Sequence, residues 1–341
     1  MATQAISVSE ASQVSEVRRA ATALAQRVGF SEVDSGRAAI VATELATNLI
    51  KHGGGGSVLA SLFSEQGREG VELIAVDRGP GMRDVSACRR DGHSSSGSAG
   101  QGLGAIERLS QFSDIASWPG LGTVVVARLE KSSSAGQAAS TADSRMCWGA
   151  ISTPKPGEEA CGDAFSIASF RDGQPAILVA DGLGHGAAAA EASTAAVRLF
   201  AGAAGKDSDP VDSLARIHDG LRATRGAAIA VAYVDLGRDR VLFGGIGNIA
   251  GAIASPGDVR RMVSHNGTAG LMARRVQAFE YVLPAGGHLI LHSDGLSTNW
   301  SLDRYPGILA AHPSVIAAVL WRDQNRGRDD ATVLVARARP S

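Results

Sequence analysis

Ala176-Ile-Leu-Val-Ala-Asp181-Gly-Leu-Gly-His-Gly186 is an apolar run that ends on a carboxylate and a glycine-rich turn. A short apolar run bounded by turn residues reads as a buried strand, which leaves Asp181 at the strand's end. One Asp-Gly pair is most often just a turn. Three further acids repeat the arrangement. Asp163 lies in Cys161-Gly-Asp-Ala-Phe165, and Asp294 follows His288 to Ser293, a run built around Leu289-Ile-Leu291. Asp329 lies in Gly327-Arg-Asp-Asp-Ala-Thr332, ahead of the strand-like Val333 to Ala336. Turns do not explain four acids in this order. Carboxylates at strand ends can gather at one sheet edge, where they repel one another unless cations neutralise them. Ligands that are all oxygen select hard ions such as Mg²⁺ or Mn²⁺. Two such ions can lower the pKa of a bridging water and polarise a phosphate.

Outward from this motif, the chain has 341 residues, enough for two ordinary domains. Lys131 to Ser144 is small and polar with no apolar period, the composition of a flexible linker, and it separates the apolar runs Gly122 to Leu129 and Ala150 to Thr153. The expected division is therefore residues 1–130, a linker at 131–145, and residues 146–341. A net charge of −1 offers no basic field for nucleic acid. Cys88, Cys147 and Cys161 form no CxxC pair, and their odd number argues against a disulfide framework or zinc site. Cys147, Cys161, Trp148, Trp300 and Trp321 read as packing residues. Met1 to Gln13 is polar and lacks an apolar leader, and no run is long enough to cross a bilayer, so a cytoplasmic protein is expected.

In the first half, apolar residues at Val14, Val17, Ala21, Leu24, Ala25 and Val28 form a helical stripe. A second helix is expected from Asp34 to His52, stopped by Gly53 to Gly56, and a third from Gln101 to Phe112. Ser57 to Phe63, Val71 to Asp77 and Gly122 to Leu129 have strand character. Together these predict a two-layer α/β sandwich. Three segments carry chemistry. Glu44 and Asn48 stand four apart on one helix face, an acid and an amide able to hold a hydrated magnesium ion and orient a hydroxyl. By itself the pair also fits a solvated helix face. Asp77-Arg-Gly-Pro-Gly-Met82 sets a carboxylate at a strand end over a flexible turn. Gly100-Gln-Gly-Leu-Gly104 opens a helix, where glycines let backbone N–H groups approach phosphate. It is not a Walker sequence.

In this order the three segments resemble the N-box, Asp-x-Gly-x-Gly box and phosphate box of the GHKL ATPase superfamily, over residues 10 to 130. Within it they are similar to small bacterial switch kinases of the RsbT type, a likeness strengthened by Asp91-Gly-His-Ser-Ser-Ser-Gly97. The resemblance implies ATP and Mg²⁺. Asp77 would contact the adenine amine, with Gly79 and Gly81 as the pocket floor. Asn48 would help hold Mg²⁺, and Glu44 would be the general base toward a substrate serine. Gly100, Gly102, Leu103 and Gly104 would cradle the phosphates, with Thr123 of Gly122-Thr123 as the family's last element.

The second half resembles the SpoIIE-type branch of the PPM protein-serine/threonine phosphatases over residues 146 to 338, of the RsbX kind without sensory domains. Asp181-Gly-Leu-Gly-His-Gly186, Ser293-Asp-Gly-Leu296 and Arg328-Asp-Asp-Ala-Thr332 are its main boxes, with Gly244-Gly-Ile-Gly-Asn248 and His265-Asn-Gly-Thr-Ala-Gly-Leu271 between them. The family fold is a four-layer α-β-β-α sandwich. Asp181 would bridge two Mn²⁺ or Mg²⁺ ions, helped by the Gly182 carbonyl, with Asp163, Asp294 and Asp329 completing the shell. Metal-bound hydroxide would attack phosphoserine directly. Asp330 competes with Asp329 for its role, and the family pattern favours Asp329. His185 reads as structural.

Together the halves imply a bifunctional partner-switching regulator acting on a STAS-domain protein, an anti-sigma antagonist or a stressosome-like component. Two other readings stand beside this one. The first half could use ATP only to bind a partner, as anti-sigma relatives do, although such a binder needs no base at Glu44. The second half could be a metal-poor pseudophosphatase, although none of its expected aspartates is missing.

Overall fold

The computed structural model of the chain describes residues 2–65, 67–89, 102–131, 145–170, 173–203, 209–273 and 275–339. Most of the expected linker, 132–144, lies outside them, as do Gly100 and the run Asp91 to Gly97. The chain forms two compact units, one of Thr3–Ala138 with Tyr305–Val319, the other of Ala139–Arg304 with Leu320–Ser341 and the first two residues.

The first unit begins with β1 (Gln4–Val8), α1 (Ala11–Val28) and α2 (Glu32–His52), followed by β2 (Gly56–Glu65) and β3 (Arg68–Val76). After these come α3 (Val85–Arg89), α4 (Gly102–Leu109), β4 (Phe112–Trp118) and β5 (Gly122–Glu130). The antiparallel sheet has the order β1-β2-β3-β5-β4. Helix α1 ends on Gly29 in the left-handed region (φ 79°), and α2 opens with Ser31 Oγ accepting from Asp34 N. The helical stripes Val17, Ala21, Leu24 and Val41, Leu45, Leu49 meet Val58, Ala60, Leu73 and Ala127 in one core.

Two strands of this unit, β1 and β4, went unread in the sequence. β1 lies in the stretch taken as polar, where only Ile6 and Val8 face the core of an edge strand. The third helix stops at Leu109 rather than Phe112, because Gln111 N turns to Arg128 O and Phe112 enters β4.

The other face of this sheet is also covered. Arg128, only 5% exposed, donates from Nε to Glu72 Oε2 (2.6 Å) and from Nη1 to Glu65 Oε2 (2.5 Å). Ser314, from the segment Tyr305–Val319 of the same unit, donates to Glu72 Oε2 (2.8 Å). In the same segment, His312 N donates to Asp114 Oδ2 (2.8 Å), and Trp118 Nε1 donates to Pro306 O (3.0 Å). A buried arginine between two buried glutamates is held by charge and by forked geometry together.

The second unit runs β6 (Met146–Thr153), β7 (Asp163–Ser169), β8 (Pro175–Gly182), α5 (Ala187–Gly202) and α6 (Pro210–Gly220). It continues through β9 (Ala227–Asp235), β10 (Arg240–Ile246), β11 (Ala250–Ser255) and β12 (Asp258–Arg261). The short pair β13 (Gly267–Thr268) and β14 (Met272–Ala273) precedes β15 (Ala278–Val282) and β16 (His288–His292). Last come α7 (Pro313–Gln324), whose first residues belong to the other unit, and β17 (Ala331–Ala338).

Two five-stranded sheets result, β15-β10-β9-β8-β7 and β12-β11-β16-β17-β6. Trp148, Val179, Val234, Phe243, Leu291 and Leu334 fill the space between them. Phe200 of α5 with Leu214 and Ile217 of α6 pack on the outer face of the first sheet. The last turn of α7 is tied to the second by Trp321 Nε1 donating to Thr153 Oγ1 (3.0 Å).

Replacing Arg128 with Ala would leave Glu65 and Glu72 buried without a counter-charge, an expected loss of about 3–5 kcal/mol. Arg128→Lys, which keeps the charge but not the fork, should lose less. Urea unfolding of the full chain measures both. A loss below about 1 kcal/mol for Arg128→Ala would mean that the network does not hold this face.

Candidate active sites

The register of β7 against β8 sets Asp163 directly opposite Asp181. In the second sheet, Asp294 leaves the end of β16 and Asp329 precedes β17, and these two strands pair with each other. Each sheet thus brings two acids to the same end of the sandwich. The sheets are stitched there by Ser293, whose Oγ donates to Asp163 Oδ2 (2.6 Å) while accepting from Thr332 N (2.9 Å). Asn248 Nδ2 donates to Asp294 Oδ2 (2.6 Å). Asp181, Asp294, Asp329 and Asn248 line one cavity of about 470 Å³, together with Leu183, Gly184, Asn266 and Thr268.

Glycines make the close approaches possible. A Cβ on Gly182 would stand 2.0 Å from Ala189 O, and one on Gly295 would stand 1.9 Å from Asp330 O. Neither could be accommodated. Asp330 itself is buried, and its Oδ1 accepts from Lys155 N (2.9 Å), whereas Asp329 lines the cavity. His185 is exposed and paired with Glu158 (2.6 Å).

The electrostatics suit a cation. Burial first, then the charges of Asp163, Asp294 and Asp329, push Asp181 up to about 9. Burial pushes Asp163 up to about 7, against hydrogen bonds from Ser293 and Thr332 that lower it. Asp294 is raised by burial and by Asp329, partly offset by Arg326. Asp163 Oδ1 is buried without a hydrogen-bond partner among the described residues. Oxygen-only donors with an orphaned carboxylate oxygen fit a hard divalent ion. Among the described residues no three His, Cys, Asp or Glu side chains already close around one point.

In the first unit, Asp77 Oδ1 accepts from Gly79 N (2.8 Å) and Thr123 N (3.2 Å), which joins the Asp-x-Gly-x-Gly turn to the last strand. A Cβ on Gly81 (φ 68°) would meet Trp118 O at 2.2 Å. A Cβ on Gly102 would lie 3.0 Å from Asn48 Oδ1 and 3.4 Å from Glu44 Oε2, so the opening of α4 sits over the acid–amide pair of α2. Asn48 Nδ2 is buried and has no partner among the described residues. Leu103 packs its side chain against the core, so it could offer a nucleotide only its backbone. Gly104 is buried in α4.

Sequence reasoning missed Ser293 and Thr332 as anchors and Asn248 and Asn266 as cavity lining. Asn248 follows Gly247 and Asn266 precedes Gly267 in boxes that read only as strands and a loop, and nothing in those boxes shows which side chain faces an acid.

Comparison with known proteins finds matches in both halves of the chain. Residues 7–129 match the family model of the histidine kinase-like ATPase domain, and residues 171–339 match that of the stage II sporulation protein E. Serine/threonine-protein kinase RsbT of Bacillus subtilis (strain 168) is 35% identical over 104 residues, 30% of this chain and 78% of that protein. Phosphoserine phosphatase RsbX of the same organism is 26% identical over 144 residues, 42% of this chain and 71% of that protein. A solved structure from the bacterial stressosome, "a modular system that has been adapted to control secondary messenger signaling", superposes with a TM-score of 0.51. It is 26% identical and covers 57% of this chain and all of the other. The chain belongs to the RsbT-like family of histidine kinase-type ATPase domains, fused here to a SpoIIE-type PPM phosphatase domain. No described helix is long and apolar enough to cross a membrane.

Cations entering the acid cavity must displace protons from Asp163 and Asp181. Affinity for Mn²⁺ is therefore expected to climb as pH passes from about 7 to about 9. Roughly one proton should leave per chain near neutral pH, read by titration calorimetry in two buffers of different ionisation enthalpy. Raised carboxyls hold protons that the unfolded chain has already lost. Without metal, stability should thus fall as pH rises from the ordinary carboxylate range toward about 9. An affinity flat across this window would show that these acids are not the ligands.

Proposed function

We propose that the chain is a bifunctional partner-switching regulator. Its first unit transfers phosphate from ATP to a serine or threonine of a STAS-domain antagonist protein. Its second unit removes phosphate from the same protein or a related one. The observation that carries this reading is a conjunction in one chain: Glu44 and Asn48 facing Gly102, and Asp181, Asp294 and Asp329 lining one cavity with Asp163 across the strand pair from Asp181. The two relatives, a kinase and a phosphoserine phosphatase, are named for opposite activities in two separate proteins.

In the kinase step Glu44 accepts the proton of the substrate hydroxyl as it attacks the γ-phosphate. Asn48, one turn further along α2, helps hold Mg²⁺. Asp77, oriented by the N–H groups of Gly79 and Thr123, presents its carboxylate to the exocyclic amine of adenine. Gly79 and Gly81 keep the pocket floor low. Gly102, Leu103 and Gly104, at the opening of α4, bring backbone to the phosphates.

In the phosphatase step Asp163, Asp181, Asp294, Asp329 and the Gly182 carbonyl hold two Mg²⁺ or Mn²⁺ ions. Bound ions supply a lowered water pKa and polarised phosphoryl oxygens. Ser293 and Asn248 keep Asp163 and Asp294 turned toward the cavity. With both activities on one chain, their ratio sets the phosphorylated fraction of a shared substrate, and the tether gives both sites the same local concentration.

The test is a purified-chain assay with a STAS-domain protein, first with ATP and Mg²⁺, then with Mn²⁺ after ATP is removed. Glu44→Gln should slow phosphorylation by about 10²-fold or more while ATP still binds. Undiminished transfer would remove Glu44 as the base, and ATP-dependent binding of the partner without transfer would favour the pure binder. Asp181→Asn should abolish dephosphorylation and leave the partner more fully phosphorylated in the presence of ATP. Unchanged hydrolysis in that variant would overturn the two-metal reading.

A further inference from the structure

A phosphorylated serine approaching the acid cavity is an anion approaching carboxylates, so the rim of the cavity needs a positive group. Arg225 stands there. Its Nη1 lies 3.5 Å from where a Cβ on Gly184 would be, and Gly184 lines the cavity. Arg225 is exposed, and among the described residues it makes neither an ion pair nor a side-chain hydrogen bond.

The backbone around it is tightly fixed. Gly226 O accepts from Leu183 N (3.0 Å), which binds the turn of Arg225 to the loop that follows Asp181. Gly226 N donates to Thr224 Oγ1 (3.0 Å). Ala227 and Ala269 exchange backbone hydrogen bonds of 3.0 and 2.8 Å, pinning the β13–β14 hairpin beside the same turn. An unpaired cation on a rigid turn is preorganised for an anion.

The same rim is apolar. Leu183 is 52% exposed and Leu271, at the hairpin tip, is 57% exposed. Both adjoin Gly226: Leu183 through the hydrogen bond above, Leu271 with Cγ 3.2 Å from where a Cβ on Gly226 would lie. Met272, 58% exposed, pairs with Thr268 of the cavity wall. Large apolar side chains left in water around an active-site mouth mark a binding surface.

We propose that Arg225, Leu183 and Leu271 form the recognition rim for a phosphoserine segment of a protein. Arg225 pairs with the phosphoryl group as it enters, and Leu183 and Leu271 seat an apolar residue next to the phosphoserine. This inference rests on the phosphatase reading and deepens it by naming what selects the phosphoserine segment: an apolar residue beside the phosphate, seated on Leu183 and Leu271.

The experiment compares Mn²⁺-dependent hydrolysis of two phosphoserine peptides by the full chain, one with Leu and one with Ala beside the phosphoserine, and of a small aryl phosphate. Wild type should favour the Leu peptide at least tenfold in kcat/KM over the Ala peptide. Leu271→Ser should reduce that preference below threefold, mainly through KM. Arg225→Gln should raise KM for both peptides about tenfold, and Arg225→Lys should recover part of the loss. No Leu-over-Ala preference in wild type, a preference intact in Leu271→Ser, or KM within twofold in Arg225→Gln would overturn the rim. Activity of wild type on none of the three substrates would instead remove the phosphatase reading, and the rim with it.

Discussion

Asp163 and Asp181 face each other across paired strands, and two more acids arrive from the neighbouring sheet. Burial and mutual repulsion make this cluster costly, and both buried carboxyls respond by holding their protons above the ordinary range. The rest of the unit keeps the cluster from relaxing. Ser293 bridges the sheets to Asp163, Asn248 holds Asp294, and Gly182 and Gly295 admit backbone where no Cβ fits. A site held together against its own charge is one designed by its geometry for a cation.

The nucleotide unit follows a different logic. Its critical contacts are close approaches of backbone rather than opposed charges. Asp77 is fixed by two N–H groups, Gly81 passes under Trp118 O, and Gly102 sits over Asn48 and Glu44. A buried charged network in that unit, Arg128 with Glu65 and Glu72, lies on the opposite face of the sheet, where Ser314 joins it. That network serves packing, because it leaves no charge unpaired in a place that water does not reach.

Helices α1, α2 and α4 of the first half, strands β2, β3, β5, β6, β8, β16 and β17, and the boxes carrying Asp77, Asp181, Asp294 and Asp329 were legible because period and punctuation are local. Strand β1 was not, since only Ile6 and Val8 of an edge strand face inward and its other residues are polar. Strand β4 was not read either, and its first residue was placed in the preceding helix, since only pairing with β5 distinguishes Phe112 as its start. Between Asp329 and Asp330, the family pattern favoured Asp329, but residue type alone does not distinguish two adjacent aspartates. The structure separates them by exposure, with one lining the cavity and the other buried against Lys155 N.

From the sequence by itself came two catalytic-type families, their order along the chain, and acids placed at strand ends, because each follows from residue type and short-range spacing. The tertiary structure alone decided which side chains anchor those acids, that Tyr305–Val319 packs with the N-terminal unit, and that Arg225 stands unpaired beside Gly184. These depend on contacts between segments tens to hundreds of residues apart. Such contacts are set by how the sheets pair and pack, and no local period in the chain records them.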